Sequence, residues 1–146
     1  MSVPIDCKKN IIAIHDTLDV INGKWRISIL ACLTMKSELL FTELKAELAS
    51  ISSKVLSTEL RFLEENKLIS REVLKLPVVK VMYKLTPYGR TLESLVFSLL
   101  DWGLTHRSEM TGINGLGINT NEYINELKAN LPTRTPKPKN FFDVVL

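Results

Sequence analysis

The sequence predicts a mainly α-helical chain carrying one small β-hairpin, and three observations predict it. Apolar residues recur at helical spacing along most of the first hundred positions. One stretch, Lys80 to Leu85, switches to a period of two, a proline separating it from the run Leu68 to Lys75. The 146 residues, 45% hydrophobic and 24% charged, have the make-up of a single ordinary globular domain.

The first helix is written by Ile11, Ile14, Leu18 and Ile21, which fall on one stripe. Asn22-Gly23 ends it, because both residues tolerate positive φ at a helix terminus. A second helix runs from Lys24 to about Met35. Its interior, Ile27 to Leu33, is apolar nearly all round and reads as the buried central helix. Phe41, Leu44 and Leu48 make a short third stripe. After a break at Ala49-Ser50-Ile51, Ser52 or Ser53 can cap a fourth helix by accepting a free backbone N–H. Leu56, Leu60 and Leu63 line one face of that helix. Lys54, Thr58, Arg61 and Glu65 lie nearly opposite, with Ser57 at the flank. Two short helices joined by a tight link, the second polar on its outer side, predict a helix-turn-helix.

Val81, Tyr83 and Leu85 alternate with Lys80, Met82 and Lys84, which is strand spacing. Pro77 falls between the two strand runs, where it costs no ladder hydrogen bond. The hairpin, about residues 69–86, has a basic rim and sits after the helix-turn-helix as a wing. Thr86-Pro87 then opens another helix, Thr as cap and Pro at the first position. Tyr88, Leu92, Leu95, Val96, Leu99 and Trp102 share an arc of it, and Phe97 lies outside that arc. This arc and the first stripe predict a pair of flanking helices covered by a second copy. The alternative is packing on the chain's own core alone. Gly112, Gly115 and Gly117 mark a loop. Thr120 or Asn121 opens a short last helix to about Asn130. A Pro- and Lys-rich tail, Pro132 to Lys139, and an apolar end, Phe141 to Leu146, follow. Residues 1–110 are therefore expected to form the winged-helix and dimerisation domain, and 111–146 a C-terminal extension.

Charge placement points to a partner. The net charge is +3, yet residues 54–90 alone hold eight basic and four acidic residues, and the flanks hold no excess of positive charge. A basic segment over the fourth helix and wing fits a polyanion. An ordinary solvated face is the plainer alternative. No apolar run approaches the roughly 18 residues of a membrane helix. The start, Met1 to Lys9, lacks the apolar centre of a secretory signal. A cytoplasmic chain with no membrane partner is expected. Cys7 and Cys32 cannot build a disulfide framework, and Cys32, inside the second helix, reads as packing. His15 and His106 have no partner at metal-ligand spacing, and no phosphate-binding glycine loop or Ser/His/Asp signature occurs. Neither a metal, a cofactor nor an enzymatic activity is expected.

Asn22-Gly23-Lys24-Trp25 with Ile29-Leu30, Phe41-Thr42-Glu43-Leu44, and the run Ile51 to Glu64 with its Leu60-Arg61-Phe62-Leu63-Glu64 segment stand in characteristic order. Val81-Met82-Tyr83-Lys84-Leu85-Thr86 with Gly89, then Trp102-Gly103, continue it. Together they resemble the HxlR-type winged-helix regulators, relatives of the MarR regulators, over roughly residues 7–103. Val78-Val79 stand where the family commonly carries two prolines, and Met82 where it commonly carries Glu. The resemblance implies a homodimeric bacterial transcription factor that lays its fourth helix, about residues 52–66, in the major groove of a palindromic operator.

The DNA-contacting set expected on this basis is Lys24, Thr42, Ser52, Ser53, Lys54, Ser57, Thr58, Arg61, Lys75 and Lys80. Arg can grip guanine with two hydrogen bonds, Ser and Thr can meet bases or phosphates, and Lys suits phosphates. Lys84 is a further phosphate candidate, while Trp25 reads as core. Many family members carry a redox-sensing cysteine near the N-terminus, and Cys7, followed by Lys8 and Lys9, is the candidate here. An unreactive thiol near a chain end is the competing reading. The competing function is a winged helix used for protein–protein assembly without DNA. No residue pattern names a small-molecule effector.

Overall fold

The computed structural model describes residues 5–75, 77–111 and 120–131. Two helices come first, α1 (Cys7–Ile21) and α2 (Lys24–Lys36). A short strand β1 (Glu38–Leu40) leads into α3 (Phe41–Glu47) and α4 (Ser53–Glu65). The wing strands β2 (Ile69–Leu74) and β3 (Lys80–Leu85) follow. A 3-10 turn (Gly89–Leu92) runs into α5 (Glu93–Thr111), and α6 (Thr120–Ala129) closes the described chain. The glycine loop expected near 112–117, the tail 132–139, the apolar end 141–146 and Leu76 of the wing turn lie outside the described residues.

The fold class matches the expectation, with one correction. The sheet has three strands, not two. β1 pairs antiparallel with β3, giving the order β1-β3-β2. Leu39 faces Tyr83 across one ladder and Ile69 faces Leu85 across the other. A three-residue strand is too short to show a period, and its partner lies far along the chain. The expected alternation of β3 holds, with Tyr83 and Leu85 buried and Lys80 and Lys84 exposed.

One core joins these elements. Ile29, Leu30 and Leu33 of α2 meet Leu44 of α3, Leu56, Leu60 and Leu63 of α4, and Ile69, Tyr83 and Leu85 of the wing. Each fully buried aliphatic side chain contributes about 1.5–3 kcal/mol through removal from water. α2 is thus the central helix that its composition indicated. Gly23 separates it from α1 at φ +103°, a conformation that L side chains rarely adopt.

The entry to α5 is tied to the end of α4. Thr86-Pro87 does not open the helix directly as expected: a turn and the 3-10 segment Gly89–Leu92 come first, and the Thr86 hydroxyl oxygen accepts from the Gly89 N–H at 2.9 Å while donating to the Lys67 carbonyl at 2.6 Å. Gly89 is required by close approach: a Cβ there would lie 1.9 Å from the Leu68 carbonyl oxygen.

Two expectations about the flanking helices need correction. α1 starts at Cys7, a turn earlier than its stripe suggested, because the Asp6 carboxylate caps it by accepting from the Lys8 and Lys9 amides. On α5 the buried edge is Val96 and Phe97, whereas Leu99 and Trp102 are exposed. Phe97 is buried because α6 lies over it: Ile124 is buried and the Lys128 ammonium sits 5.6 Å from the Phe97 ring centre.

Candidate nucleic-acid interface

α4 is sharply divided between a buried and an exposed face. Leu56, Leu60 and Leu63 are buried, and Lys54, Ser57, Thr58, Arg61 and Glu65 are exposed. Ser52 is the cap, its hydroxyl oxygen accepting from the Val55 N–H at 3.2 Å, and Ser53 is the first helical residue. Both serines are exposed at the N-terminal end of the helix, where unpaired backbone N–H groups favour an anion. Thr58 donates its hydroxyl proton to the Lys54 carbonyl at 2.9 Å, which leaves the oxygen as an acceptor and the methyl free for apolar contact. Lys67 closes α4 in the left-handed region at φ 61°, with its N–H donating to the Glu64 carbonyl and Leu68 donating to Leu63.

The other expected contacts fall in two places. Thr42 is exposed in the first turn of α3. With Leu40 and Phe41 it lines one side of a shallow groove whose other side is Val78, Val79, Lys80 and Val81. The start of α3 and the wing tip are therefore neighbours. Lys75 and Lys80 are exposed at the two ends of the wing turn. Lys84 lies 3.8 Å from Glu72 of the facing strand, so part of its charge is already answered. Arg71 on β2, which sequence reasoning misses, is a further exposed cation; it pairs with Tyr83 and so stands on the opposite face of the hairpin from Lys80 and Lys84. Val78 and Val79, 63% and 67% exposed, give the wing an apolar tip.

Lys24 stands apart from these. It is exposed at the start of α2, with its ammonium 4.6 Å from the Trp25 ring centre. Trp25 itself packs against the core. The residue that sequence reasoning missed is its neighbour Arg26, whose Nε lies 2.6 Å from Glu59 Oε2 on α4 and whose guanidinium covers the Phe62 ring at 3.5 Å. A contact across 33 residues leaves no local pattern to find.

The two cysteines differ. Cys7 is exposed as the first residue of α1. Lys9, one of the cations expected to favour a thiolate there, has its ammonium 3.7 Å from the Asp6 carboxylate. Cys32 is half-buried in α2, and burial pushes its thiol up from the ordinary value, with Glu47 adding to the shift and Lys36 opposing it. His15 is exposed, and His106 stacks on Trp102 with ring centres 4.8 Å apart. Among the described residues, no helix is long and apolar enough to cross a membrane.

Comparison with known proteins fits this geometry. Residues 20–111 match the family described as HxlR-like helix-turn-helix. The HTH-type transcriptional regulator YtcD of Bacillus subtilis is 39% identical over 105 residues, which cover 72% of this chain and 82% of YtcD. The redox regulator HypR in its reduced form superposes with a TM-score of 0.62 at 36% identity, over 69% of this chain and 99% of HypR. Reduced YodB from Bacillus subtilis, a transcriptional regulator, superposes with a TM-score of 0.55 at 27% identity, over 70% of this chain and 91% of YodB.

Proposed function

We propose that this chain, which belongs to the HxlR-like helix-turn-helix family of transcriptional regulators, binds duplex DNA as a homodimer. In this reading each α4 enters the major groove of one half of a palindromic operator and each wing rests on the backbone. The observation that carries it is the outer face of α4. Lys54, Ser57, Thr58 and Arg61 stand together in solvent on a helix whose opposite face is locked into the core. A rigid helix with a fork-shaped cation and short hydroxyls on its free face has the donors and acceptors that base edges require. Ser52, Ser53, Thr42 and Lys24 supply backbone contacts near the helix starts, and Lys75 and Lys80 do so from the wing.

The dimer is supported by α1. Ile11, Ile14 and Leu18 are each about half exposed, and among the described residues only the last turn of α1, Val20 and Ile21, reaches the core. Leu99 and Trp102 of α5 are exposed as well, and exposed apolar residues of this size are of the kind found at interfaces. The family match ends at residue 111, which supports dividing the chain into a regulator domain to about residue 110 and an extension from 111. Cys7, exposed on α1, is the candidate sensor by likeness to HypR, itself a redox regulator.

The test is selection of a duplex from a random pool by the full chain, followed by titration against salt. Binding that falls steeply and linearly in log–log form with salt is expected, because each neutralised phosphate releases counterion. A chain that enriches no sequence, or whose binding ignores salt, is an assembly module instead.

A further inference from the structure

Arg26 is the first charged residue after the α1–α2 break that turns inward, and it serves three elements at once. Its Nε donates to Glu59 Oε2 of α4 at 2.6 Å. Its guanidinium plane lies 3.5 Å from the centre of the Phe62 ring, also on α4. Its Nη1 donates to the Asp19 carbonyl of α1 at 3.3 Å. Asp19 belongs to the last turn of α1, whose carbonyls lack donors within their own helix, so a cation is favoured there. The side chains of Arg26 and Glu59 are 23% and 21% exposed, which shields the pair from most of the screening that weakens surface ion pairs.

We infer that Arg26 is a specificity-determining positioning residue, which fixes the rotation of α4 about its own axis and ties that setting to α1. Glu59 and Phe62 are three apart and share one side of α4. Each stands one position beyond a proposed groove residue, Thr58 and Arg61. The buried leucine stripe locks the helix to the core, and two attachments on one flank sharpen that setting, since a hydrogen bond and a ring stack depend on angle more steeply than apolar packing does. A helix with side chains is about 10–12 Å across, so a 20° turn carries the outer tips through about 2 Å. That distance is enough to break a hydrogen bond to a base edge. The grip also answers the Glu59 carboxylate, which otherwise stands beside a surface meant for phosphates. Lysine in place of Arg26 would keep the charge but lose the planar stacking and the second donor of the fork.

The inference rests on the DNA-binding reading, and the test separates the two. Hydrogen exchange of the free chain is compared for wild type, Arg26→Lys, Arg26→Gln and the double variant Arg26→Gln/Glu59→Gln. The amides of α4 and of the last turn of α1 are expected to exchange about tenfold faster in the single variants, the scale of one charge-assisted bond, while α2 and β3 keep their protection. The same proteins are then titrated with the selected duplex and with a scrambled duplex of equal length. The ratio of the two affinities is expected to fall about tenfold in the single variants, and to stay low in the double variant. Recovery of the ratio in the double variant would mean that Arg26 only neutralises Glu59, and overturns the positioning role. Uniformly faster exchange with an unchanged ratio would make Arg26 a general stabiliser, and overturns it too. A wild-type chain that holds no duplex removes the DNA reading, and the exchange result alone then decides whether the tether exists.

Discussion

α1 and α4 carry apolar stripes of nearly the same spacing and have opposite fates. On α4, Leu56, Leu60 and Leu63 are 0%, 1% and 0% exposed. On α1, Ile11, Ile14 and Leu18 are 49%, 57% and 49% exposed. A stripe specifies a face to be covered, and only the rest of the structure says what covers it. α4 is met by α2 and the wing. Among the described residues α1 is met by its own chain only near its last turn, and a second copy is the cover proposed for its stripe.

The sharpest way to break the contrast is to cut each stripe. Leu60→Ala is expected to cost about 2–5 kcal/mol in urea unfolding, since a core that is this filled leaves a cavity. Ile14→Asp should barely change the unfolding of the isolated chain and instead remove association. With about 1.5–3 kcal/mol lost per buried aliphatic side chain in each copy, a dimer stable at micromolar concentration should sediment as monomer. If Ile14→Asp instead unfolded the chain, α1 would be a core helix and the contrast would be false.

The outer face of α4 gives the next largest effect. Arg61→Ala is expected to weaken the selected duplex by about 1–3 kcal/mol and to relax preference at one base position. Lys80→Ala should weaken all sequences alike and lower the salt slope by about 1. Equal losses on selected and scrambled duplexes for Arg61→Ala would put that residue on the backbone.

The cysteines probe the same two environments. At pH 8 Cys7 should react with iodoacetamide at least about tenfold faster than Cys32, because Cys7 is exposed while burial raises the Cys32 thiol and lowers its thiolate fraction. Mass spectrometry of a brief labelling reads this directly, and comparable rates would mean that α2 opens readily. The smallest effect sits at the end of α4. Lys67→Gly should raise stability by at most about 1 kcal/mol, since glycine adopts the left-handed region without the Cβ penalty. A loss of stability there would show that the Lys67 side chain contributes more than its backbone costs.

Legibility followed locality. α4 could be read almost to the residue because its cap, its stripe and its polar face all lie within Ser52 to Glu65. The wing strands were legible for the same reason, through the alternation of Lys80 to Leu85. β1 was not, because Glu38–Leu40 becomes a strand only by pairing with β3. Phe97 lies off the apolar arc in sequence and is buried all the same, because its cover, Ile124 on α6, arrives from a segment beyond the arc. Arg26 is not legible in the sequence because a cation beside Trp25 gives no sign of Glu59, 33 residues on, or of Phe62 one turn further. In the candidate site, the choice of outward residues on α4 followed from periodicity, whereas Lys24 and Thr42 came from the resemblance and from chemistry at helix starts.

The central claim is that the stripe of α1 is covered by a second copy, so that two α4 helices are presented together. Sedimentation of the wild-type chain at micromolar concentration, free and with the selected duplex, tests it most directly. The account predicts a free species of twice 16.5 kDa and two chains per duplex. A free species of 16.5 kDa that loads one chain per duplex would contradict it.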